Sequence, residues 1–232
     1  MTTKTGILCQ AFKYSIPVLL GYIAIGFAFG FLLVSNGYPA WLAFVMSVIM
    51  YAGAGQYIAV GLFASGASLT EAVLVQFVVN ARHIAYGFSM FKRFKQSGIF
   101  KYYLIFALTD ETFALLSSLS DTDPKHTMKE RGKFMFFVSL LNQGYWVLGS
   151  VIGAVAGSLL PFNFDGIGFA LTALFIVLMI EQIMRVRKAK LFIISAITAV
   201  LTVFVLPVRI SLLSAMVISL VIVQLLDSSE TV

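Results

Sequence analysis

A long stretch without charge restricts the possible folds of this sequence more than any other feature. No residue from Tyr14 to Thr70 is charged, over 57 consecutive positions. About 20 apolar residues are enough for a helix to cross the hydrocarbon core of a bilayer, so at least two crossings fit here. The apolar run from Tyr14 to Val34 is also longer than the core of a signal peptide, and no clear cleavage motif follows it. The pattern predicts an integral membrane protein.

The composition of the whole chain agrees with this class. Hydrophobic residues make up 60% and charged residues 11%, and the mean hydropathy is +0.97. The net charge of +6 does not indicate a nucleic-acid partner, because the basic residues form short clusters beside apolar segments, as topology signals do. The lone cysteine, Cys9, excludes a disulfide framework. With only two histidines and no cysteine cluster we expect no metal site, and we expect no cofactor.

Apolar runs between charges and turn residues divide the chain into about eight segments, each long enough for a helix. They cover residues 14–35, 40–64, 70–91, 102–120, 134–160, 167–184, 191–206 and 210–226. The predicted fold class is therefore all-α, a polytopic integral membrane helix bundle that forms a single domain over residues 1–232.

The basic residues predict an orientation, but one loop disagrees. The basic N-terminal segment lies in the cytoplasm, and eight crossings place the loops at Lys125–Lys133 and Arg185–Lys190 there too. The same scheme puts Lys92–Lys101 outside. One segment between 40 and 100 is thus a candidate to enter the membrane and return, and the glycines between Tyr51 and Gln56 favour the second segment. Eight full crossings and a re-entrant or broken segment both remain open.

A glycine pattern recurs in the two halves of the chain. Gly21-Tyr22, Gly26 and Gly30 return with identical spacing as Gly144-Tyr145, Gly149 and Gly153, at an offset of 123 residues. This recurrence predicts an internal repeat of two four-segment halves, residues 14–120 and 134–226. Halves of this kind commonly frame a central site in transporters.

Four ionisable side chains lie deep in apolar segments: Arg82, His83, Asp110 and Glu111. A charge at that depth costs at least ~2.5 to 3.5 kcal/mol unless it has a partner or a water-filled cavity. Arg82 and Asp110 lie at similar distances from the basic loop between their segments, about 15 Å in a helical hairpin, so we expect them to meet. Asp110 and Glu111 project about 100° apart, so Arg82 can face only one of them. The other carboxylate is available to carry a proton.

Further polar and small residues are candidates to line a pathway. Asn80 and His83 lie on one face of a helix, which predicts a cavity wall or, as the alternative, interhelical hydrogen bonds; His83 is also a possible proton relay. A helix break at Tyr51–Gln56 would offer backbone groups to a zwitterionic ligand, and close packing is its alternative. A static ion pair is the alternative for Arg82 and Asp110. The predicted pathway residues are Tyr22, Tyr51, Gly53, Gly55, Gln56 and Asn80, and the predicted proton-coupling or gating residues are Arg82, His83, Asp110 and Glu111.

Three motifs together resemble the AzlC family of branched-chain amino-acid exporters. They are Tyr51-Ala-Gly-Ala-Gly-Gln56, Ala81-Arg-His-Ile-Ala-Tyr-Gly87 and Leu108-Thr-Asp-Glu-Thr-Phe113, and the likeness covers nearly the whole chain. The resemblance implies a multi-pass protein of the bacterial inner (plasma) membrane that exports leucine, isoleucine, valine and often methionine with a small hydrophobic AzlD-type subunit. It nominates Gly53, Gln56, Arg82, His83, Asp110 and Glu111. The family commonly has serine where this chain has Gly55, so a hydroxyl contact at that position stays undecided.

The working hypothesis is a proton-coupled exporter and not an enzyme. A proton taken up at Asp110 or Glu111 would reshape the contact with Arg82 and bias the protein between inward-open and outward-open states. An intramembrane hydrolase would need a nucleophile beside its base, and the hydroxyls near Asp110 lack such a partner motif. The alternatives are an amino-acid channel and a structural membrane subunit of a larger complex. A higher oligomer is also open.

Overall fold

The computed structural model describes residues 4–95, 97–119, 128–159 and 189–206, with 176, 179–180, 183–184, 214–215, 217–219 and 221–222. The regular structure of these residues is helical, which confirms the predicted all-α class. The helices are α1 (Lys4–Ser35), α2 (Ala40–Ile49), α3 (Gly53–Ala64), α4 (Leu69–Lys95), α5 (Phe100–Phe106), α6 (Asp110–Ser117), α7 (Met128–Leu159) and α8 (Ala189–Val205). The predicted segments 167–184 and 210–226 lie mostly outside the described residues.

The chain forms two compact units. The first comprises Met1–Ala67 and Val79–Phe164, and the second comprises Ser68–Val78 and Asp165–Val232. All of the candidate site residues belong to the first unit. Within the described residues, Gly6–Ser35 of α1 and Glu130–Leu159 of α7 are long and apolar enough to cross a membrane. The 27 residues of α4 span about 40 Å as well, but this helix is more polar.

The segment predicted over 40–64 is a helical hairpin and does not cross. Its break lies at Met50–Ala52, where Tyr51 has a φ of +40°, a left-handed conformation that is rare for a residue with a side chain. Gln56 on α3 donates to Ser47 Oγ on α2, at 3.2 Å. Tyr38, just before α2, packs on Phe63 near the end of α3, with 5.6 Å between ring centroids. The chain therefore enters along α2 and returns along α3 to the end where it started.

The segment predicted over 102–120 is a second hairpin, which corrects its assignment as one crossing. Phe100 packs on Phe136 at 4.8 Å and the Tyr103 hydroxyl donates to Gln143 Oε1 at 2.6 Å, so α5 runs in the same direction as α7. Helix α5 ends at Phe106. Helix α6 starts after its N-cap residue Thr109, whose hydroxyl accepts a hydrogen bond from the Thr112 N–H at 3.3 Å.

The return of α6 is shown by its contacts with α1 and α7. Asn142 on α7 meets Thr112 near the start of α6, at 3.0 Å. Tyr14 donates to the carbonyl of Leu115, near the end of α6, and packs on Phe134 near the start of α7. Since α6 runs opposite to α7 and α5 runs with it, the chain reverses between α5 and α6.

The two hairpins enter from opposite ends and meet at their tips. A buried cluster of Ile7, Met90, Phe94, Leu104, Leu116 and Phe134 joins the start of α1, the end of α4, the open end of α5–α6 and the start of α7. The α2–α3 hairpin opens at the other end, after α1. At the tips, the rings of Tyr51 and Phe106 lie 6.4 Å apart. Lys92–Lys101 therefore lies at the same end as the basic residues of α1 and α7, which removes the orientation conflict of the eight-crossing scheme.

Four glycines of the predicted repeat, Gly26, Gly30, Gly149 and Gly153, lie where α1 and α7 pack side by side in the same direction, whereas a Cβ added to Gly21 or Gly144 would have nothing within 4 Å. A Cβ atom added to Gly30 would come within 2.7 Å of Ala154 N, and one added to Gly153 within 2.6 Å of the Phe27 carbonyl carbon. Gly26 lies close to the carbonyl of Trp146, and Gly149 lies close to the carbonyl of Ile23. Trp146 and Ile23 are themselves 123 residues apart, which is the offset of the glycine pattern. The contacts are thus reciprocal. The repeat over 14–120 and 134–226 stays a prediction, because much of its second half lies beyond the described ranges.

Candidate functional site

Helix α6 presents two carboxylates at the meeting point of the hairpins. Asp110 and Glu111 occupy its first turn, where the positive end of the helix dipole favours negative charge. At the other end, Arg93 Nη1 on α4 donates to the carbonyls of Leu116 at 2.7 Å and Ser117 at 3.2 Å. These bonds satisfy carbonyls that the end of a helix leaves without partners. A short helix is thereby held at both ends by complementary charge.

The contact expected between Arg82 and Asp110 is present. Arg82 Nη1 lies 2.5 Å from Asp110 Oδ2, and the side chains are 39% and 24% exposed. The chain itself therefore leaves the pair partly uncovered and does not bury it in the core. Only one carboxylate oxygen of Asp110 takes part. Its other oxygen, Oδ1, is buried without a hydrogen-bond partner among the described residues.

Glu111 is the second carboxylate, and it is held by a tyrosine. The Tyr22 hydroxyl donates to Glu111 Oε2 at 2.7 Å and lies 2.6 Å from Thr109 Oγ1. The structure thus divides the two acids as helix geometry requires: Asp110 meets the arginine and Glu111 meets α1. Their assignment to proton coupling stays a prediction.

The tip of the first hairpin supplies Tyr51 to the same region. Its side chain is buried, and its hydroxyl lies close to Tyr22, Thr112 and Glu111. Thr112 Oγ1 accepts from Asn142 Nδ2 of α7, and Asn142 Oδ1 is likewise buried and without a partner in the described part of the chain. A chain of hydrogen bonds therefore links Glu111 to α7 through Tyr22, Thr109, Thr112 and Asn142, with Tyr51 of the hairpin tip beside it.

Gln56 and the glycines beside it form a packed structural contact. Gln56 is fully buried, its Oε1 accepts from Trp146 Nε1 at 2.8 Å, and its Nε2 donates to Ser47. Gly53 faces the same indole, since a Cβ there would lie 3.1 Å from Trp146 Cη2, and Gly55 is buried. Gln56 can contact a substrate only after these bonds break. The glycines occupy the first turn of α3, and the helix break predicted from them lies just before it.

Asn80 and His83 interact within α4. His83 Nδ1 lies 3.0 Å from the Asn80 carbonyl, and its ring packs edge-on against Tyr86 at 6.0 Å. Tyr86 in turn stacks on Phe113 of α6 at 4.5 Å. Among the described residues, no three His, Cys, Asp or Glu side chains come together as metal ligands.

Three residues that matter at the site were missed from the sequence: Thr109, Asn142 and Trp146. Thr109 carried a signal, because threonine directly before two acidic residues is typical of a helix N-cap. Asn142 stands beside another amide in an apolar run, which marks a polar position but gives no partner. Trp146 carried no comparable signal.

The fold and the site together define a class. Long apolar helices, two opposed half-length hairpins, and an ion pair with a second carboxylate at the tips are features of an integral membrane protein that handles polar solutes. The chain belongs to the AzlC family, whose model, described as AzlC protein, matches residues 17–160.

Three relatives support this assignment. A membrane protein of Helicobacter pylori (strain ATCC 700392 / 26695), named as uncharacterized, is 45% identical over 181 residues, 78% of either chain. The branched-chain amino acid transport protein AzlC of Bacillus subtilis is 39% identical over 179 residues, 77% of this chain and 69% of that one. The inner membrane protein YgaZ of Escherichia coli is 31% identical over 209 residues, 85% and 82% of the two chains. No solved structure matches the chain. Its membership of the AzlC family makes the protein a membrane transport protein and not an enzyme.

Proposed function

We propose that this protein exports the branched-chain amino acids leucine, isoleucine and valine, and also the unbranched methionine, from the cytoplasm in exchange for protons. The observation that carries the proposal is the division of two adjacent acids at the hairpin tips, with Asp110 on Arg82 and Glu111 on Tyr22. The name of the Bacillus subtilis relative supports the substrate class.

The orientation follows from the hairpins. Lys13, Lys92–Lys101 and Lys133 all belong to the end at which α1 and α7 start, and the positive-inside rule places that end in the cytoplasm. The N-terminus is then cytoplasmic. By analogy with the Escherichia coli relative, the protein resides in the bacterial plasma membrane.

Broken helices suit alternating access. Their tips carry backbone groups that need polar partners, and small movements of a tip open or close a path around it. A proton on a tip carboxylate weakens its contact with Arg82 or Tyr22, which changes the relative stability of the inward-open and outward-open states. The aliphatic side chain of the substrate packs against the apolar residues around this site.

Efflux of valine from loaded proteoliposomes at imposed pH gradients tests the coupling. The wild type should show saturable efflux that increases when the side receiving valine is more acidic, and Asp110→Asn should lose this dependence. Glu71→Gln, a carboxylate change at the start of α4, is the matched control. Efflux that ignores both the gradient and Asp110→Asn contradicts the coupling, and flux that does not saturate favours a channel.

We also propose a small hydrophobic AzlD-type membrane subunit as partner. Co-expression followed by purification through a tag on one chain should recover both chains in a fixed ratio. Competition between leucine, valine and methionine for export by the pair then ranks the substrates. Full export activity by the single chain alone contradicts the need for a partner.

A further inference from the structure

Building on the export function proposed above, we propose that Glu111 binds the α-ammonium group of the substrate, and that the same carboxylate binds the proton in alternation with it. Substrate and proton then compete for one site. Coupling follows directly from this competition, because the site cannot hold both cations at once.

The cation balance around the site is the first reason. Arg82 pairs with Asp110, so the hydrogen-bond partner that the structure gives to Glu111 is the neutral Tyr22 hydroxyl. A carboxylate at membrane depth is costly unless a proton or another cation neutralises it. A primary ammonium group and a proton both meet this need, and each carries one positive charge.

The unused oxygen atoms around Glu111 are the second reason. Asp110 Oδ1, on the residue beside Glu111, and Asn142 Oδ1, on the side chain that donates to Thr112, are buried and lack hydrogen-bond partners in the described part of the chain. Buried polar atoms are nearly always paired in native proteins, so these two oxygens call for a donor. An ammonium group has three N–H donors and fits a set of oxygen acceptors.

The groups that face Glu111 set its response to pH. They are Tyr22 from α1, Tyr51 from the α2–α3 connection, Arg82 from α4 and Asp110 from α6 itself, while α7 contributes the neutral Asn142 to Thr112. The exchange balances in charge: the protonated Glu111 carboxyl releases its proton, and the resulting carboxylate binds the ammonium group. One proton leaves for each substrate bound to the protonated form.

Proton release upon binding tests this scheme on the wild-type protein, co-purified with its proposed small subunit, without any variant. In a weakly buffered detergent solution with a pH indicator, L-leucine should bind and release protons. The amine 3-methylbutylamine, which lacks the carboxylate of leucine, should do the same. The acid 4-methylpentanoate, which lacks the amino group, should release none.

The pH dependence of affinity locates the group. For the wild type, the dissociation constant of leucine should rise about tenfold per pH unit on the acidic side of the Glu111 titration, as competition requires. Glu111→Gln should bind leucine at least tenfold more weakly at neutral pH, without this dependence. Glu111→Asp should keep the proton release, and Glu71→Gln should behave as wild type.

The outcomes separate this proposal from the export function. If leucine, isoleucine, valine and methionine all fail to bind, both the export function and the ammonium site are overturned. Binding without proton release, equal release by 4-methylpentanoate, or unchanged pH dependence in a folded Glu111→Gln variant overturns the ammonium site alone. If Glu111→Gln does not fold, the two leucine analogues on the wild type decide the question.

Discussion

Substitution of Gly30 by alanine should weaken the contact between α1 and α7, whereas the same change at Gly21 should not. A Cβ at Gly30 would meet the backbone of Ser150 and lie 2.7 Å from Ala154 N, whereas a Cβ at Gly21 has nothing within 4 Å. Ordinary contact begins near 3.4 Å. Because the Ser150 carbonyl oxygen lies even closer to this Cβ than Ala154 N does, the helices must separate by more than about 0.7 Å, and backbone atoms cannot rotate away as a side chain can.

The magnitude follows from two opposing effects. Alanine is preferred to glycine inside a helix by about 1 kcal/mol, but both positions lie inside α1, so this gain cancels when the two variants are compared. Overpacking, which only Gly30→Ala suffers, costs about 1 to 3 kcal/mol, and the separation also loosens the close contacts at Gly26 and Gly149. Gly30→Ala should therefore be less stable than Gly21→Ala by about 1 to 3 kcal/mol.

Tryptophan fluorescence during unfolding in detergent measures this difference. The chain has two tryptophans, and Trp146 is buried at this contact while Trp41 is exposed, so a Trp41→Phe background isolates the relevant signal. Gly153→Ala should resemble Gly30→Ala, and the double variant should lose less than the sum, because one separation accommodates both methyl groups. Equal stability of Gly30→Ala and Gly21→Ala would refute the reasoning.

Three further outcomes are expected. Trp146→Phe keeps the aromatic packing but leaves Gln56 Oε1 unpaired in a buried site, so it should lower the free energy of unfolding by about 1 to 3 kcal/mol; a loss no larger than that of Trp41→Phe contradicts this. Tyr22→Phe removes the hydroxyl that holds Glu111 and should reduce proton-driven valine efflux several-fold. Tyr14→Phe removes a hydroxyl at the other end of α6 and should not reduce it. Equal effects of the two changes argue against a specific role of the Tyr22 hydroxyl. In a Cys9→Ser background, cysteines at Ile99 and Ser118 should react with an impermeant maleimide from one membrane face and a cysteine at Ser65 from the other; labelling of 99 and 118 from opposite faces refutes the second hairpin.

Much of the fold follows from the sequence alone. Among the described residues, α1 and α7 have apolar runs long enough to cross a membrane, and the ion pair follows from the equal depths of Arg82 and Asp110. The break near Tyr51 was located to within a few residues. Its actual position differs because glycines mark where a helix is weak, whereas Tyr51 itself takes the left-handed conformation.

The second hairpin could not be read from hydrophobicity. An apolar run over 102–120 has the same composition whether it crosses the membrane or reverses in the middle. The residue that distinguishes a reversal from a crossing is Thr109, which caps a new helix. That signal becomes decisive only when Lys92–Lys101 is required to lie on the same side of the membrane as the other basic loops. The partners of Glu111 were beyond prediction for another reason, because Tyr22 lies 89 residues away along the chain.

The short helices of the two hairpins bear on how the protein is made. With 10 and 12 residues in α2 and α3, and seven and eight in α5 and α6, none is long enough alone to be integrated as a membrane span of about 20 residues. Of the described helices in this unit, α1 and α7 are apolar and long enough to be integrated on their own, and we expect each hairpin to settle beside them afterwards. Because the polar tips become stable only when the other parts are in place, we expect the charged centre to be the last region of this unit to form.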